Sequence, residues 1–282
     1  MSRLGRVNLT NLDKVLYPGT GIRKSEVIEY YIRVAPKILP FLSGRALSRT
    51  RFPDGVQENG FYEKDAPGGT PDWVKLYRKE SEDKIVNYVV CDEVDTLIWL
   101  ANLAALELHI PLWRIEEKEK PDLVLIDLDP EPPASFKEVV ESAMMVKDVL
   151  EDLELKIYVK TSGKKGLHIL IPIESKYTFS QTKEWVHTIG IFLSKRSELI
   201  VSERSQTKEA GKVLIDYPQN TASHTVICPW SLRGVEGAPI STPVDWTDLK
   251  RIKPADLNIR SVISRTDPWK DFWDQRNRLE ER

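Results

Sequence analysis

The chain has 282 residues, of which 41% are hydrophobic, a formal net charge of −2 and a pI near 6.2. This content is enough for a sizeable core, so we expect one large domain or two closely packed lobes and no free-standing small module. The charge excludes nucleic-acid binding through overall positive charge, and the two cysteines, Cys91 and Cys228, lack the spacing of a zinc site or disulfide framework. No apolar run reaches the roughly 20 residues of a membrane-spanning helix and no secretory signal is present, so we expect a soluble, cytoplasmic protein.

Helical and strand patterns alternate along the chain, which predicts an α/β or α+β fold. The first predicted helix has apolar residues at helical spacing over residues 28–35 and ends near Pro36, because proline interrupts helical hydrogen bonding. A second helix opens at Asp92 and carries apolar residues as far as Leu108. The charged stretch 116–121 is a candidate connector between an N-terminal lobe (about 1–115) and a catalytic lobe (about 116–282).

The second half of the chain begins with the segment DLVLIDLDP, an apolar strand that ends at Pro130. A helix follows, opened by a capping box from Ser135 to Glu138. The remaining predicted elements, in chain order, are strands over 155–161 and 167–172 joined by a tight SGKKG hairpin, a helix around 185–193, a strand over 212–217, an extended segment over 225–233 and a surface helix from Trp269.

Any surface for nucleic acid must be local in a chain of this charge. Basic clusters occur at Arg45, Arg49 and Arg51, at Lys160, Lys164 and Lys165, and at Arg204, Lys208 and Lys212. Because the chain has 41 lysines and arginines, plain solvated surface explains such clusters equally well.

Asp127 and Asp129 stand on the otherwise apolar strand, so both side chains project from one face, roughly 6.6 Å apart at about 3.3 Å per residue. Two like charges there repel and are costly to desolvate, whereas divalent cations reverse this energy. Mg²⁺ and Mn²⁺ prefer such oxygen ligands, and two ions can clamp the attacking and leaving oxygens of a phosphoryl transfer. The pair therefore predicts a metal site. Pairs such as Glu93 and Asp95 have the same spacing, so the apolar strand is the distinguishing observation.

The carboxylates alone leave the type of reaction open, because glycosyltransferases and phosphatases also use Asp-x-Asp. Asp216 offers a third carboxylate on another predicted strand, although an aspartate before Tyr217 and Pro218 is also typical of a turn cap.

The hairpin segment 162–168 offers the Ser162 hydroxyl, the Lys164 and Lys165 ammonium groups, backbone amides freed by glycine and the His168 imidazole. This set suits a triphosphate, but it lacks the spacing of a Walker loop. An exposed basic β-turn is the simpler interpretation of the segment on its own. His109 shares the polar face of a predicted strand with Glu107, where a substrate-facing role and a surface or core histidine are equally consistent with the pattern.

Taken together and in order, these pieces resemble one family. The segments LDKVLYP, LSRTRFPDG, FYEKDAPGGTPDWV, ALELH, LIDLDP, KTSGKKGLHILIP, IDYPQN and WSLRGVEGAPISTPVDW are similar to the end-joining polymerase domain of ligase D type. That domain belongs to the archaeo-eukaryotic primase superfamily and is often fused to an ATP-dependent DNA ligase. The resemblance runs from about Leu9 to Trp246 and implies a primase-polymerase core with mostly antiparallel sheets flanked by helices.

The resemblance also implies roles for individual residues. Two divalent ions, Mn²⁺ preferred over Mg²⁺, would be held by Asp127, Asp129 and Asp216. The residues implied to contact the incoming nucleotide are Ser162, Lys164, Lys165, His168, His109, Arg233 and Arg51.

For DNA, the resemblance implies that Lys14 and Lys24 bind the 5′-phosphate of a gap and that Phe61 and Tyr62 lie near the templating base, where stacking is worth about 1–3 kcal/mol per base. One departure is Val235, which stands where the family commonly has the second arginine of Arg-x-Arg. Either Arg233 and the hairpin lysines suffice for the triphosphate, or nucleotide affinity is weaker here than in relatives.

The implied function is extension of DNA 3′ ends with nucleotides, ribonucleotides preferred, to fill gaps in double-strand break repair at the nucleoid. The implied partners are gapped or broken DNA, NTPs or dNTPs, the end-binding protein Ku and a separate ATP-dependent ligase, because no ligase or nuclease sequence follows in this chain. The alternatives are a de novo primase, a DNA-end-binding module that uses Lys14 and Lys24 without synthesis, and, least favoured, a metal-dependent glycosyltransferase.

Overall fold

The computed structural model describes residues 2–80, 85–117, 120–208 and 211–279. The chain divides into two compact units, each discontinuous in sequence. The first contains the residues up to Pro111, Thr225–Thr242 and Ala255–Thr266, and the second contains Leu112–His224, Pro243–Pro254 and the residues from Asp267 onward. The predicted lobe boundary near residue 115 lies beside the first division, but two segments of the C-terminal half belong to the first unit. The predicted connector, 116–121, falls partly outside the described residues.

The helices of the described chain are α1 (Lys24–Leu42), α2 (Val94–Asn102), α3 (Phe136–Asp152) and α4 (Phe179–Ser194). In chain order the strands are β1 (Ser2–Leu4), β2 (Val7–Leu9), β3 (Val15–Tyr17), β4 (Ile22–Arg23), β5 (Ser48–Arg51), β6 (Phe61–Glu63), β7 (Leu76–Glu80), β8 (Ile85–Val89), β9 (Ala105–Pro111), β10 (Leu123–Pro130), β11 (Tyr158–Thr161), β12 (Leu167–Pro172), β13 (Ile200–Val201), β14 (Val213–Ile215), β15 (Thr225–Ile227) and β16 (Pro243–Val244).

The first unit is built on an antiparallel sheet in the order β15-β9-β5-β6, with two-stranded pairs β1–β2, β3–β4 and β7–β8. Helices α1 and α2 both contact β9. Two buried tyrosines of α1 anchor it to distant parts of the chain, because the hydroxyl of Tyr30 donates to the carbonyl of Trp230 and that of Tyr31 to the carbonyl of Leu106, each at 2.7 Å. The first unit therefore depends on the segment that follows residue 224.

The second unit is built on a sheet in the order β13-β14-β10-β12-β11-β16, antiparallel except for the parallel pair β13–β14. Strand β10 pairs with β12 along residues 123–128 and with β14 at residues 128–130. Helices α3 and α4 both contact β10, whose apolar residues are fully buried. The mixed fold with mostly antiparallel sheets is as predicted.

The predicted strand at β10, the β11–β12 hairpin and the helix at α4 are confirmed. The capping box of α3 is also confirmed, because the Ser135 Oγ accepts from the Lys137 N–H at 3.3 Å and the Glu138 carboxylate accepts from the Ser135 N–H at 2.7 Å.

Two predicted helix ends and one predicted helix are wrong. Helix α1 continues through Pro36 and Pro40 to Leu42, and α2 ends at Asn102 because Ala104 adopts a left-handed φ of 56° before β9 begins. The described residues from Trp269 form turns rather than a surface helix. Trp269 and Phe272 are buried there, packed on the Tyr158 ring. These aromatic side chains are therefore buried in turns, where the sequence predicted a surface helix.

The basic clusters are not uniformly on the surface. Arg45, Arg49 and Lys160 are buried, whereas Lys164 and Lys165 are exposed. The side chain of Lys208 lies outside the described part of the chain. Both cysteines are buried and free. Among the described residues, no helix combines the length and the apolar character needed to cross a bilayer.

Candidate active site

Three carboxylates meet in the second unit where β10 ends beside β14. Asp127 and Asp129 lie on β10, and Asp216 directly follows β14. The backbone N–H of Asp216 donates to the carbonyl oxygen of Asp127 at 3.0 Å, which ties the two segments together. One oxygen from each carboxylate lies within 4.8 Å of the others. The structure thus brings together the three acidic side chains that the sequence placed on separate strands.

The energetics of this cluster fit a divalent cation. Asp216 is only 1% exposed, and its Oδ1 accepts no hydrogen bond in the described structure. Burial raises the pKa of Asp129 to about 7, and repulsion from Asp127 and Asp216 adds to the rise. A cation among these oxygens would supply the missing partner and reverse the repulsion. Hard carboxylate oxygens are the ligands that Mg²⁺ and Mn²⁺ prefer, so the residues suit either ion.

The other oxygen of Asp216 is held by two side chains to which the sequence analysis gave no catalytic role. Arg204 Nη2 donates to Asp216 Oδ2 at 2.6 Å, and Gln219 Nε2 donates to the same oxygen at 3.0 Å. These bonds occupy Oδ2, whereas the buried Oδ1 has no hydrogen-bond partner in the described part of the chain. In the sequence, nothing but their closeness to Asp216 pointed to these two residues. Arg204 stood out only as one member of a basic cluster.

The β11–β12 hairpin lies directly against the carboxylates. A Cβ atom on Gly166 would lie 2.5 Å from the Leu128 carbonyl oxygen and 3.2 Å from Asp129 Oδ1, so only glycine allows this approach. The Ser162 Oγ accepts from the backbone N–H groups of Lys164 and Gly166 at 3.2 and 3.1 Å. Two of the amides expected to be free for phosphate therefore hold the turn itself, while the Lys164 and Lys165 side chains are exposed.

A buried lysine supports the histidine of this hairpin. Lys160 Nζ donates to His168 Nδ1 at 2.8 Å, and His168 Nε2 lies 3.3 Å from Asp127 Oδ1. Because an ammonium group can only donate, His168 Nδ1 must accept, and the ring proton is then on Nε2 facing the carboxylate. In the sequence, Lys160 stood out only as one member of a basic cluster. Because it is fully buried and donates to Nδ1, it holds the His168 ring in this orientation.

In the first unit, Glu107 joins two residues of the expected nucleotide set. Its Oε2 lies 3.1 Å from His109 Nε2, and its Oε1 lies 3.2 Å from Arg233 Nε and accepts from the Gly234 N–H at 3.1 Å. Burial opposes ionisation of Glu107, but the His109 hydrogen bond and the Arg233 charge outweigh it and lower its pKa to about 2. The polar face predicted for β9 therefore carries an ionised carboxylate that is paired with His109 and Arg233.

The two expected stacking residues are exposed and point to opposite faces of the sheet. Phe61 and Tyr62 are 44% and 50% exposed and are consecutive on β6. The Tyr62 ring meets His109 edge-on at 5.9 Å, whereas the Arg51 guanidinium lies 5.1 Å from the Phe61 ring centre. Arg51, expected with the nucleotide set, is thus on the other face of the sheet from His109.

The expected 5′-phosphate residues form a local positive cluster with Arg51. Lys24 is buried, and its Nζ donates only to the Thr10 Oγ1 at 3.4 Å among the described residues. Burial lowers the pKa of Lys24, and the charges of Lys14 and Arg51 lower it further. Lys14 pairs with the exposed Asp54 at 2.7 Å. A buried cation with no carboxylate partner is favourable for binding an anion.

Comparisons with known proteins agree with this architecture. Residues 23–273 match the family described as LigD, primase-polymerase domain. The chain is 33% identical to the multifunctional non-homologous end joining protein LigD of Mycolicibacterium smegmatis, over 96% of this chain and 36% of that protein. It is 32% identical to the bifunctional LigD of Bacillus subtilis, over 95% of this chain and 44% of that protein. The chain thus spans less than half of these relatives' length.

A solved structure shows the same fold. The polymerase domain from Mycobacterium tuberculosis Ligase D in complex with DNA superposes with a TM-score of 0.85 at 33% identity, covering 92% of this chain and 93% of that one. The fold and the carboxylate cluster define a nucleotidyltransferase of the primase-polymerase kind. The chain belongs to the LigD primase-polymerase domain family.

Proposed function

We propose that this domain extends the 3′ ends of DNA primers with nucleoside triphosphates, ribonucleotides preferred, by a two-metal mechanism. The observation that carries the proposal is the cluster of Asp127, Asp129 and Asp216, in which Asp216 Oδ1 is buried without a hydrogen-bond partner. Divalent ions held there, Mn²⁺ in preference to Mg²⁺, would activate the primer hydroxyl and neutralise the leaving pyrophosphate.

The protein's own residues have separate tasks in this scheme. Asp127 and Asp129 would hold the two ions, and Asp216 would offer Oδ1 while Arg204 and Gln219 restrain Oδ2. His168, oriented by Lys160, lies beside Asp127, where its Nε2–H can donate to a phosphate oxygen. The exposed ammonium groups of the hairpin and the guanidinium of Arg233 add positive charge for the triphosphate.

The same proposal gives the first unit two DNA contacts. Lys14, Lys24 and Arg51 bind the 5′-phosphate downstream of a gap, because Lys24 is buried and has no carboxylate partner among the residues that the structure describes. The exposed rings of Phe61 and Tyr62 stack on bases near the templating position.

We further propose that the domain fills short gaps during end joining of double-strand breaks. The support is the similarity to LigD proteins named for non-homologous end joining and to a polymerase domain in complex with DNA. In this proposal it acts at the nucleoid with a Ku-type end-binding protein, and a separate ATP-dependent ligase seals the product.

The decisive experiment is extension of a 5′-phosphorylated gapped DNA with ribo- or deoxyribonucleotides, each with Mn²⁺ and with Mg²⁺. We expect the most product with ribonucleotides and Mn²⁺. Asp127→Ala and Asp129→Ala should each reduce extension by at least about 100-fold, since metal ions supply several kcal/mol of transition-state stabilisation. Both variants should still bind gapped DNA.

The matched control is Asp152→Ala, which removes an exposed carboxylate that is also two residues from a second one, Glu154. This variant should retain full activity. Full extension by either β10 variant would refute the metal assignment. Binding of phosphorylated gaps without extension under any condition would favour an end-binding module, and synthesis without a primer would favour a primase.

A further inference from the structure

The carboxylate of Glu107 is the centre of a small network in the first unit. It lies within 3.2 Å of three nitrogen atoms: His109 Nε2, Arg233 Nε and the Gly234 backbone N. Its side chain is only 9% exposed, whereas those of His109 and Arg233 are 15% and 12% exposed. All three side chains are therefore mostly buried, and Glu107 is the least exposed of them.

The network depends on a carboxylate and not merely on a side chain of that size. An ionised carboxylate only accepts, so His109 carries its proton on Nε2, and the carboxylate charge pairs with the Arg233 guanidinium at 3.2 Å. A glutamine has one oxygen, no charge, and an NH₂ group that would face a donor. An alanine would remove the acceptor of the His109 and Gly234 N–H groups and this charge partner of Arg233.

Other contacts restrain the residues around Glu107. A Cβ atom on Gly234 would lie 2.1 Å from atoms of the Phe52 ring, so a larger residue here would require that ring to move. The carbonyl of Arg233 accepts from the buried hydroxyl of Tyr17 at 2.9 Å. The ring of His109 contacts the Tyr62 ring edge-on.

We propose that Glu107 is a positioning residue that sets the His109 tautomer and the Arg233 guanidinium together for one nucleoside triphosphate. The proposal rests on the proposed function, in which His109 and Arg233 bind the nucleotide. Glu107 itself does not touch the substrate. It makes the two residues a single, preformed recognition element, which lowers the entropy lost on nucleotide binding.

The first test is spectroscopic and needs no activity. The chain has four histidines, so a long-range ¹H–¹⁵N spectrum of the ¹⁵N-labelled protein resolves each ring, and a His109→Gln variant assigns the relevant signals. We expect the proton of His109 on Nε2 in the wild-type protein. Glu107→Gln and Glu107→Ala should lose this preference. A wild-type ring with its proton on Nδ1 alone would overturn the proposal, even if neither variant folds.

The second test is kinetic. In both Glu107 variants the KM for the nucleoside triphosphate should rise about 10-fold or more, as expected for loss of hydrogen bonds to charged groups, with a smaller change in kcat. The control is Asp122→Asn, which breaks another buried carboxylate–arginine pair, Arg114 with Asp122 at 3.0 Å. It should lower thermal stability without changing the His109 spectrum or the KM.

The two tests separate this proposal from the proposed function. A wild-type protein that extends no primer would refute the proposed function, and the histidine spectra would still decide the role of Glu107. An unchanged His109 spectrum together with an unchanged KM in folded Glu107 variants would show that Glu107 is only a packing residue.

Discussion

The carboxyl group of Asp129 has opposite effects on the protein with and without divalent cations. Without them, burial and the charges of Asp127 and Asp216 raise its pKa to about 7, so ionisation at neutral pH opposes folding. Bound cations would instead be coordinated by the same charges. A residue that we propose to bind metal is therefore one that destabilises the metal-free fold.

This conflict predicts a pH-dependent stability difference. Since the folded pKa of Asp129 is raised above its ordinary value of 3.8, its unfavourable effect is absent below about pH 4, grows between about pH 4 and pH 7, and levels off above that. With a chelator present, Asp129→Asn should be more stable than the wild-type protein at pH 8, and the difference should be much smaller at pH 5 and vanish near pH 4. Urea unfolding across this pH range measures the difference. Added Mn²⁺ should stabilise the wild-type protein more than the variant, and a pH-independent difference would contradict the argument.

At the same scale, sequence reasoning identified the three carboxylates that the structure brings together but missed the residues that hold their surroundings in place. Asp127 and Asp129 could be identified because two charged side chains on an apolar strand are unfavourable without a binding partner. The roles of Lys160, Arg204 and Glu107 could not be identified, because the sequence does not distinguish a buried lysine or a bridging carboxylate from a solvent-exposed one. Only the fold shows that Lys160 faces His168.

Among the elements, the hairpin of β11 and β12 determines how closely the groups that we propose to bind phosphate approach the three carboxylates. Its contact with β10 depends on Gly166, where a Cβ atom would meet backbone at 2.5 Å. The backbone, unlike a long side chain, has little freedom to move aside. The spacing between β10 and the turn is therefore limited by this one position.

We predict that Gly166→Ala forces the turn away from Leu128 and Asp129, with a stability loss of about 1–3 kcal/mol, as for other overpacked sites. Mn²⁺ binding should also weaken, since Asp129 Oδ1 would be displaced. Denaturant unfolding and a Mn²⁺ titration measure the two effects. Gly68→Ala is the control, because no atom lies within 4 Å of a Cβ there. Equal behaviour of both variants would show that the approach is not tight.

Elements with strong local signals were predicted correctly, and those decided by tertiary burial were not. The capping box of α3 and the alternation in β12 are local features. Helix α1, in contrast, continues through Pro36 and Pro40, because the burial of Tyr30, Tyr31 and other residues outweighs the local cost of about 3 kcal/mol per proline. No local pattern indicates that burial.

For the whole molecule, the chain order does not follow the two compact units. Helix α1 lies near the N-terminus, but its buried tyrosines bond to distant segments. Tyr30 bonds to a residue of Thr225–Thr242, which also contains β15, and Tyr31 bonds to this segment and to β9. The lobe boundary expected from sequence at about residue 115 could not reveal this return of the chain, because contacts between distant segments leave no mark on composition.

A fragment of residues 1–115 should therefore not fold on its own. It lacks β15, the hydrogen-bond partner of the Tyr30 hydroxyl, and Arg233. We expect circular dichroism to show reduced structure and urea titration to show no cooperative transition, in contrast to the full chain. A cooperative transition with dispersed amide resonances in the fragment would refute this prediction.

The return of the chain also has a consequence during protein synthesis. Ribosomes add roughly 5–20 residues per second, so roughly 6 to 23 s separate the synthesis of β9 from that of β15. During this interval β9 lacks β15 and exposes a strand edge that carries Leu106, Leu108 and Ile110. The nascent chain thus presents an aggregation-prone edge until β15 has been synthesised.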